Sequence, residues 1–188
     1  MTHEILIAGF GGQGILSLGM TLTYAGMIEG KEVSWMPSYG PEMRGGTANC
    51  IVIISDNKVS SPILTRFDMV VAMNQPSLEK FESSVKPGGY LLYDSTKIVT
   101  PPARADVTTL PVPAGDEAIA LGNPRVANMV VLGAILDILE VVPVASVLKA
   151  LKQVLPERYH AMLPLNEEAL RRGTKFSRTP CEAGDSPM

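Results

Sequence analysis

The sequence predicts an α/β chain: an open, doubly wound, mostly parallel sheet of the Rossmann-like type, with one antiparallel hairpin and a helical C-terminal part. Three observations predict it. Short apolar runs rich in β-branched residues alternate with stretches of helical periodicity, the pattern of strands buried on both faces and joined by crossover helices. The first run, Ile5-Leu6-Ile7-Ala8, opens straight into a glycine-rich turn and a helix. From residue 124 onward helical spacing replaces strands altogether.

Taken in order, Ile5-Leu6-Ile7-Ala8 is closed by Gly9, and Ile15, Leu18, Leu22, Ala25 and Glu29 then recur at helical spacing until Gly30 ends the helix. A strand is expected over residues 33–36, followed by a long loop over 37–46 whose prolines and glycines oppose regular structure. Asn49-Cys50-Ile51-Val52-Ile53-Ile54 reads as a buried strand. Ser55-Asp56-Asn57-Lys58 is turn chemistry leading to Val59, which predicts an antiparallel hairpin at that point. Residues 68–73 make the next strand, and Pro76 fits the first turn of a helix running to about residue 85, stopped by Lys86-Pro87-Gly88-Gly89. Strands follow over residues 90–93, ending at Asp94, and over 107–112.

Residues 124–139 read as a mostly apolar helix. Pro143 starts an amphipathic one with Val144, Val147, Leu148, Leu151, Val154 and Leu155 on a single stripe. Asn166 is placed to cap a last helix, with the acidic start Glu167-Glu168 and the basic end Arg171-Arg172 before Gly173. One domain over residues 1–173 is expected, with a disordered tail over 174–188, where Ser, Pro, Gly and charge mix without periodicity.

Sixteen basic residues against nineteen acidic ones leave a net charge of -3, so no basic field gathers nucleic acid or an anionic membrane. Cys50 and Cys181 stand far apart, and neither lies in a cluster that holds zinc or an iron–sulfur centre. The N-terminus lacks the basic start and long apolar stretch of a signal peptide. The most apolar segment, residues 126–142, is interrupted by Asn128, Asp137 and Glu140, short of a membrane span. The expected setting is a reducing cytoplasm, with neither nucleic acid nor membrane as partner.

Gly9-Phe10-Gly11-Gly12-Gln13-Gly14 satisfies G-x-G-x-x-G between a strand and a helix, where glycines allow a tight turn and backbone N–H groups face an anion. The residues alone leave open a nicotinamide-dinucleotide site, another phosphate-bearing ligand, and a purely structural turn. Against the first, the second strand carries no acidic residue at its end for a ribose hydroxyl, Glu32 standing at its start instead. Arg44, freed by Gly45-Gly46 in the loop Ser38-Tyr39-Gly40-Pro41-Glu42-Met43-Arg44-Gly45-Gly46, offers a planar fork for carboxylate or phosphate, or else pairs with Glu42 on the surface. Asn74, Asp94 and Ser95 read as turn or cap residues. His3 and His160 belong to no catalytic constellation, and no catalytic residue is assigned.

The glycine turn with Ile15, the Ser38–Gly46 loop and the run Asn123-Pro124-Arg125-Val126-Ala127-Asn128-Met129-Val130-Val131-Leu132-Gly133-Ala134 together resemble the gamma subunit of the 2-oxoacid:ferredoxin oxidoreductases, over roughly residues 3–173. The resemblance implies a subunit of a complex that oxidatively decarboxylates a 2-oxoacid with coenzyme A to an acyl-CoA, carbon dioxide and reduced ferredoxin. Thiamine diphosphate, Mg2+ and iron–sulfur clusters would then be carried by other subunits. Here Gly115-Asp116-Glu117 departs from a thiamine motif and cluster cysteines are missing. It further implies packing on the thiamine-binding subunits, and makes Gly9, Gly11, Gly12, Gln13, Gly14 and Arg44 candidates for coenzyme A phosphates or for the subunit interface. A free-standing nucleotide-dependent dehydrogenase and a non-catalytic phosphate-binding or scaffold module are the competing readings.

Overall fold

The computed structural model describes residues 1–38, 47–59 and 61–176. Strands β1 (Thr2–Phe10), β2 (Glu32–Ser38), β3 (Thr47–Ser55), β4 (Phe67–Ala72), β5 (Val85–Asp94) and β6 (Thr108–Val112) form one sheet in the order β2-β3-β1-β4-β5-β6. β1, β4, β5 and β6 run parallel, whereas β3 is antiparallel to both of its neighbours, β2 and β1. Ile5, Leu6, Ile7 and Ala8 are all buried, as the centre of a two-faced sheet requires.

Among the described residues six α-helices pack on the sheet: α1 (Ile15–Ile28), α2 (Gln75–Phe81), α3 (Ala114–Ala120), α4 (Ala127–Leu139), α5 (Val144–Val154) and α6 (Leu163–Gly173). One face, carrying Ile5, Ile7, Val52, Ile54 and Val71, packs against α1, α3, α4, α5 and α6. The other, carrying Leu6, Ile53, Val70 and Leu91, takes α2 through Leu78 as its one helix among the described residues, with loop residues such as Ile98 and Leu64. The sheet is therefore wound on both faces but unequally.

Every residue of α4 from 127 to 136 is buried. Its closest neighbour is α6, which it meets at two glycines: a Cβ on Gly133 would strike the backbone carbonyl of Leu170, and one on Gly173 the carbonyl of Val130. At the amino ends of the strands, Lys86 Nζ donates to Glu4 Oε2 and Asp68 Oδ1, both at 2.6 Å, tying β5 to β1 and β4. Among the described residues no helix is long and apolar enough to cross a membrane.

Several expectations need correction. The antiparallel hairpin is β2–β3, not a fold-back at Asn57. Both edges of β3 are already paired, so the turn at residues 55–58 leads the chain out of the sheet toward β4. The helix after Asn74 ends at Phe81 and passes through a short 3-10 turn, Glu82–Ser84. Lys86-Pro87-Gly88-Gly89 then belongs to β5, where Gly88 takes a left-handed φ of 77° and Arg104 Nη1 donates to the Glu82 and Val85 carbonyls, each at 2.9 Å.

Helix α3 has no counterpart in the periodicity, because seven residues that follow Pro113 and contain Gly115 show less than two apolar repeats. Asn166 does not cap α6. With Pro164 in the first turn the helix begins at Leu163, leaving Asn166 inside it. Val144 on the α5 stripe is 38% exposed rather than packed. Of the residues expected to form a tail, 177–188 lie outside the described residues, whereas Phe176 packs against the core.

Two predictions follow from this packing. Gly133→Ala gains about 1 kcal/mol of helix propensity, but the added methyl meets backbone that cannot rotate away, and overpacking of that kind costs about 1–3 kcal/mol or more. A net loss of about 2 kcal/mol is expected in urea denaturation, and an unchanged midpoint would refute the close crossing. Cys50 is fully enclosed on β3, and burial pushes its thiol up to about 12. In a Cys181→Ser background at pH 8, only about one thiol in 10,000 would be thiolate, so native Cys50 should resist alkylation until the chain unfolds. Because the folded thiol stays protonated while the unfolded one ionises, this group withdraws stability as pH rises above about 8.5 toward 12.

Candidate functional site

The glycine turn lies at the carboxyl end of β1, and five of its six residues divide into two sets. Gly9, Gln13 and Gly14 face the scaffold. A Cβ on Gly9 would stand 2.7 Å from both Gln13 Oε1 and Ile15 Cδ1, and one on Gly14 would collide with the Asn128 amide. Gly14, at φ 75° and ψ 21°, is the N-cap of α1 and offers no side-chain cap. Gly11 and Gly12 are exposed instead, Gly12 at φ 94° with open space around it. Only glycine adopts that backbone at little cost.

Gln13 braces the turn. Its Oε1 accepts from the Phe10 N–H at 2.6 Å and from Asn74 Nδ2 at 3.1 Å, while its Nε2 donates to the Met73 carbonyl at 2.9 Å. Asn74 in turn caps α2, accepting from the Ser77 N–H at 2.9 Å. These bonds span β1 and β4, where the strand order reverses and ligands of such sheets usually gather. Gln13 crosses that crevice.

The open volume lies to the α1 side of the turn. A cleft of about 300 Å³ is lined by Phe10, Gly11, Gly12, Ser17 and, from the start of β3, Ala48. The first N–H groups of α1 have no intrahelical partner and no capping side chain, and α1 is fourteen residues long. Together with Gly11 and Gly12 they offer donors and a positive helix end to an anion.

Arg44 falls among residues 39–46, outside the described residues. Glu32 stands exposed at the amino end of β2, the wrong edge for a ribose hydroxyl. Asp94 behaves as a turn residue, its Oδ1 accepting from the Thr96 and Gly115 N–H groups at 3.2 and 3.3 Å. Among the described residues no group of three His, Cys, Asp or Glu side chains could hold a metal. Periodicity missed the role of Asn128, whose Nδ2 donates to the Gly14 carbonyl at 3.3 Å. The signal for it was an amide inside an otherwise apolar helix.

Removing the Gln13 side chain strands the Phe10 N–H and the Met73 carbonyl. Gln13→Ala should therefore cost about 1–3 kcal/mol in chemical denaturation and speed hydrogen exchange at the Phe10 amide. Exchange at Phe10 no faster than in the parent would show that the brace is not what orders the turn.

Residues 4–176 match the family described as pyruvate ferredoxin/flavodoxin oxidoreductase. The chain is 47% identical over 133 residues to ketoisovalerate oxidoreductase subunit VorA of Methanothermobacter thermautotrophicus, covering 71% of this chain but only 28% of that protein. It is 36% identical over 162 residues to 2-oxoglutarate synthase subunit KorC of Methanocaldococcus jannaschii, covering 84% of this chain and 86% of that one. Among solved structures, the gamma subunit of a keto/oxoacid ferredoxin oxidoreductase from Geobacter sulfurreducens superposes with a TM-score of 0.82 at 32% identity, covering 94% and 97% of the two chains. A 2-oxoglutarate:ferredoxin oxidoreductase from Magnetococcus marinus, solved with 2-oxoglutarate, coenzyme A and succinyl-CoA bound, superposes at 0.86 with 27% identity over 96% of this chain and 32% of its own. With the match running through the glycine turn, the sheet and the C-terminal helices alike, the chain belongs to the pyruvate ferredoxin/flavodoxin oxidoreductase family.

Proposed function

We propose that this chain is the gamma subunit of a multisubunit 2-oxoacid:ferredoxin oxidoreductase, packed on thiamine-binding subunits and contributing a contact to coenzyme A. The reaction breaks the bond between the carboxyl and keto carbons to release carbon dioxide, forms a thioester to coenzyme A, and passes two electrons singly to ferredoxin. Thiamine diphosphate with Mg2+ supplies carbanion stabilisation, and iron–sulfur clusters supply one-electron transfer. Neither fits the described residues of this chain, whose one described cysteine is buried and which offer no cluster of ligating side chains. Other subunits would carry them, in the cytoplasm.

The observation that carries the reading is the uncapped start of α1 beside an open glycine cleft. A diphosphate needs such a donor array and no basic side chain. Gly11, Gly12 and the first turn of α1 would hold the phosphates of coenzyme A, with Gly9, Gln13 and Gly14 fixing the shape of that cradle and Arg44 supplying a charged fork. Coverage of nearly the whole length of KorC and of the Geobacter gamma subunit supports a separate subunit, whereas VorA and the Magnetococcus chain are longer polypeptides. A dinucleotide dehydrogenase lacks support, since Glu32 is at the wrong end of β2.

The purified chain should be inactive with 2-oxoacids, coenzyme A, thiamine diphosphate and a viologen dye, and active once its companion subunits are added. Turnover by the chain alone would refute the assignment. In the reconstituted complex, Gly12→Val forces a β-branched residue to a φ of 94° and should raise the KM for coenzyme A about tenfold or more, with assembly intact. Arg44→Lys keeps the charge and removes the fork. A raised KM places Arg44 at coenzyme A, and weakened assembly places it at the interface. An unaltered KM in both variants would remove coenzyme A from this site.

A further inference from the structure

We propose that the pocket bordered by α1, α4, α5, α6 and the 3-10 segment Glu157–Met162, which adjoins the glycine cleft at Ser17, is a second ligand site that takes a small carboxylic acid with an apolar body and no ammonium group. Its volume is about 250 Å³, equivalent to roughly eight water molecules and enough for an acid of similar heavy-atom count. Leu151, Leu155, Met129 and Met162 make its apolar wall. Its polar lining is Arg125 just before α4, Asn128 in α4 and Asn166 in α6, with Ser17 of α1 and Tyr159.

Asn166 is the informative residue. It is only 7% exposed as a residue and lines the pocket, and among the described residues its side-chain amide makes no hydrogen bond, its polar atoms opening into the pocket. Buried amides are nearly always satisfied, and asparagine is a poor choice inside a helix. In the pocket that amide offers a ligand oxygen a donor that no neighbouring side chain among the described residues occupies.

Arg125 stands exposed in the 3-10 turn leading into α4, and its guanidinium has neither an ion pair nor a hydrogen bond among the described residues. A carboxylate entering beside it meets a fork of donors and the start of a thirteen-residue helix. No Asp or Glu lines the cavity, so an ammonium group would find no counter-charge there.

Ser17 lines both sites, and Asn128 links them. Its Nδ2 holds the Gly14 carbonyl at 3.3 Å while the same side chain borders this cavity. Occupancy is thereby felt at the N-cap of α1, one residue from the brace that shapes the glycine turn.

The test uses the full-length chain with 4-methylpentanoate and 4-methyl-2-oxopentanoate as probes and leucine as the ammonium-bearing control, followed by calorimetry and by the side-chain amide resonances of Asn128 and Asn166. Saturable binding of an acid that shifts both amides is expected, with leucine at least about tenfold weaker. Arg125→Gln and the isosteric Asn166→Asp, which sets a like charge against the acid, should each weaken binding about tenfold while circular dichroism reports an intact fold. Binding should persist in Gly12→Val and in the presence of coenzyme A. Absence of saturable binding, or binding indifferent to both substitutions, overturns the proposal. Displacement of the acid by coenzyme A also overturns it, by placing the probe in the glycine cleft, and leaves the coenzyme A reading standing. Loss of coenzyme A binding in the parent chain would instead count against that reading alone.

Discussion

An apolar helix with no polar face has to be enclosed on every side, and α4 is such a helix. Its burial along residues 127–136 dictates the lopsided architecture. It shares one core with the sheet and packs against α6, α3 and α1. Burying a Leu, Ile or Val side chain is worth about 1.5–3 kcal/mol, so a helix this apolar dominates the stability of its half of the molecule. Leaving it open would leave a patch prone to association. The two glycines where α4 meets α6 follow from that demand, since only contact at backbone distance closes the last face.

The same helix reaches the glycine turn through Asn128, so the packing of the core and the shape of the candidate site are not independent. Two amides do most of the shaping. Gln13 fastens the turn to β4 from one side, and Asn128 holds Gly14 from the other. What remains free to a ligand is backbone: Gly11, Gly12 and the opening turn of α1. The motif's glycines therefore serve two ends, one set packing against neighbours and the other leaving N–H groups bare.

Much of this was legible in the residues. Strands of unbroken apolar runs, the glycine turn, Pro76 and Pro143 at helix starts and the apolar 124–139 segment all lie where their local chemistry puts them. The errors share a physical cause. The turn at Asn57 looks like a hairpin because turn chemistry is local, whereas whether an edge of β3 is free is a question of topology. Asn166 looks like a cap because Asn commonly caps helices, but α6, with Pro164 in its first turn, begins three residues earlier at Leu163. Helix α3 is too short to show a period. In the site, the six glycine-turn positions were evident from spacing, but which of them face inward depends on Gln13 reaching residues 60 positions away. The sequence pattern contains no measure of that reach.

The central strands are clamped at both ends. Lys86 draws β1, β4 and β5 together where they begin, and Gln13 with Asn74 locks β1 to β4 where they finish. Ties at the two ends of β1 and β4 hold those strands in register with each other, so the middle of the sheet is the part least free to deform. Adjustment to a ligand or a neighbouring subunit falls first to what is mounted around that middle, the connections at the sheet's rim and the tilt of the domain as a whole. A domain of this kind transmits displacement as a lever does, by moving more than it deforms.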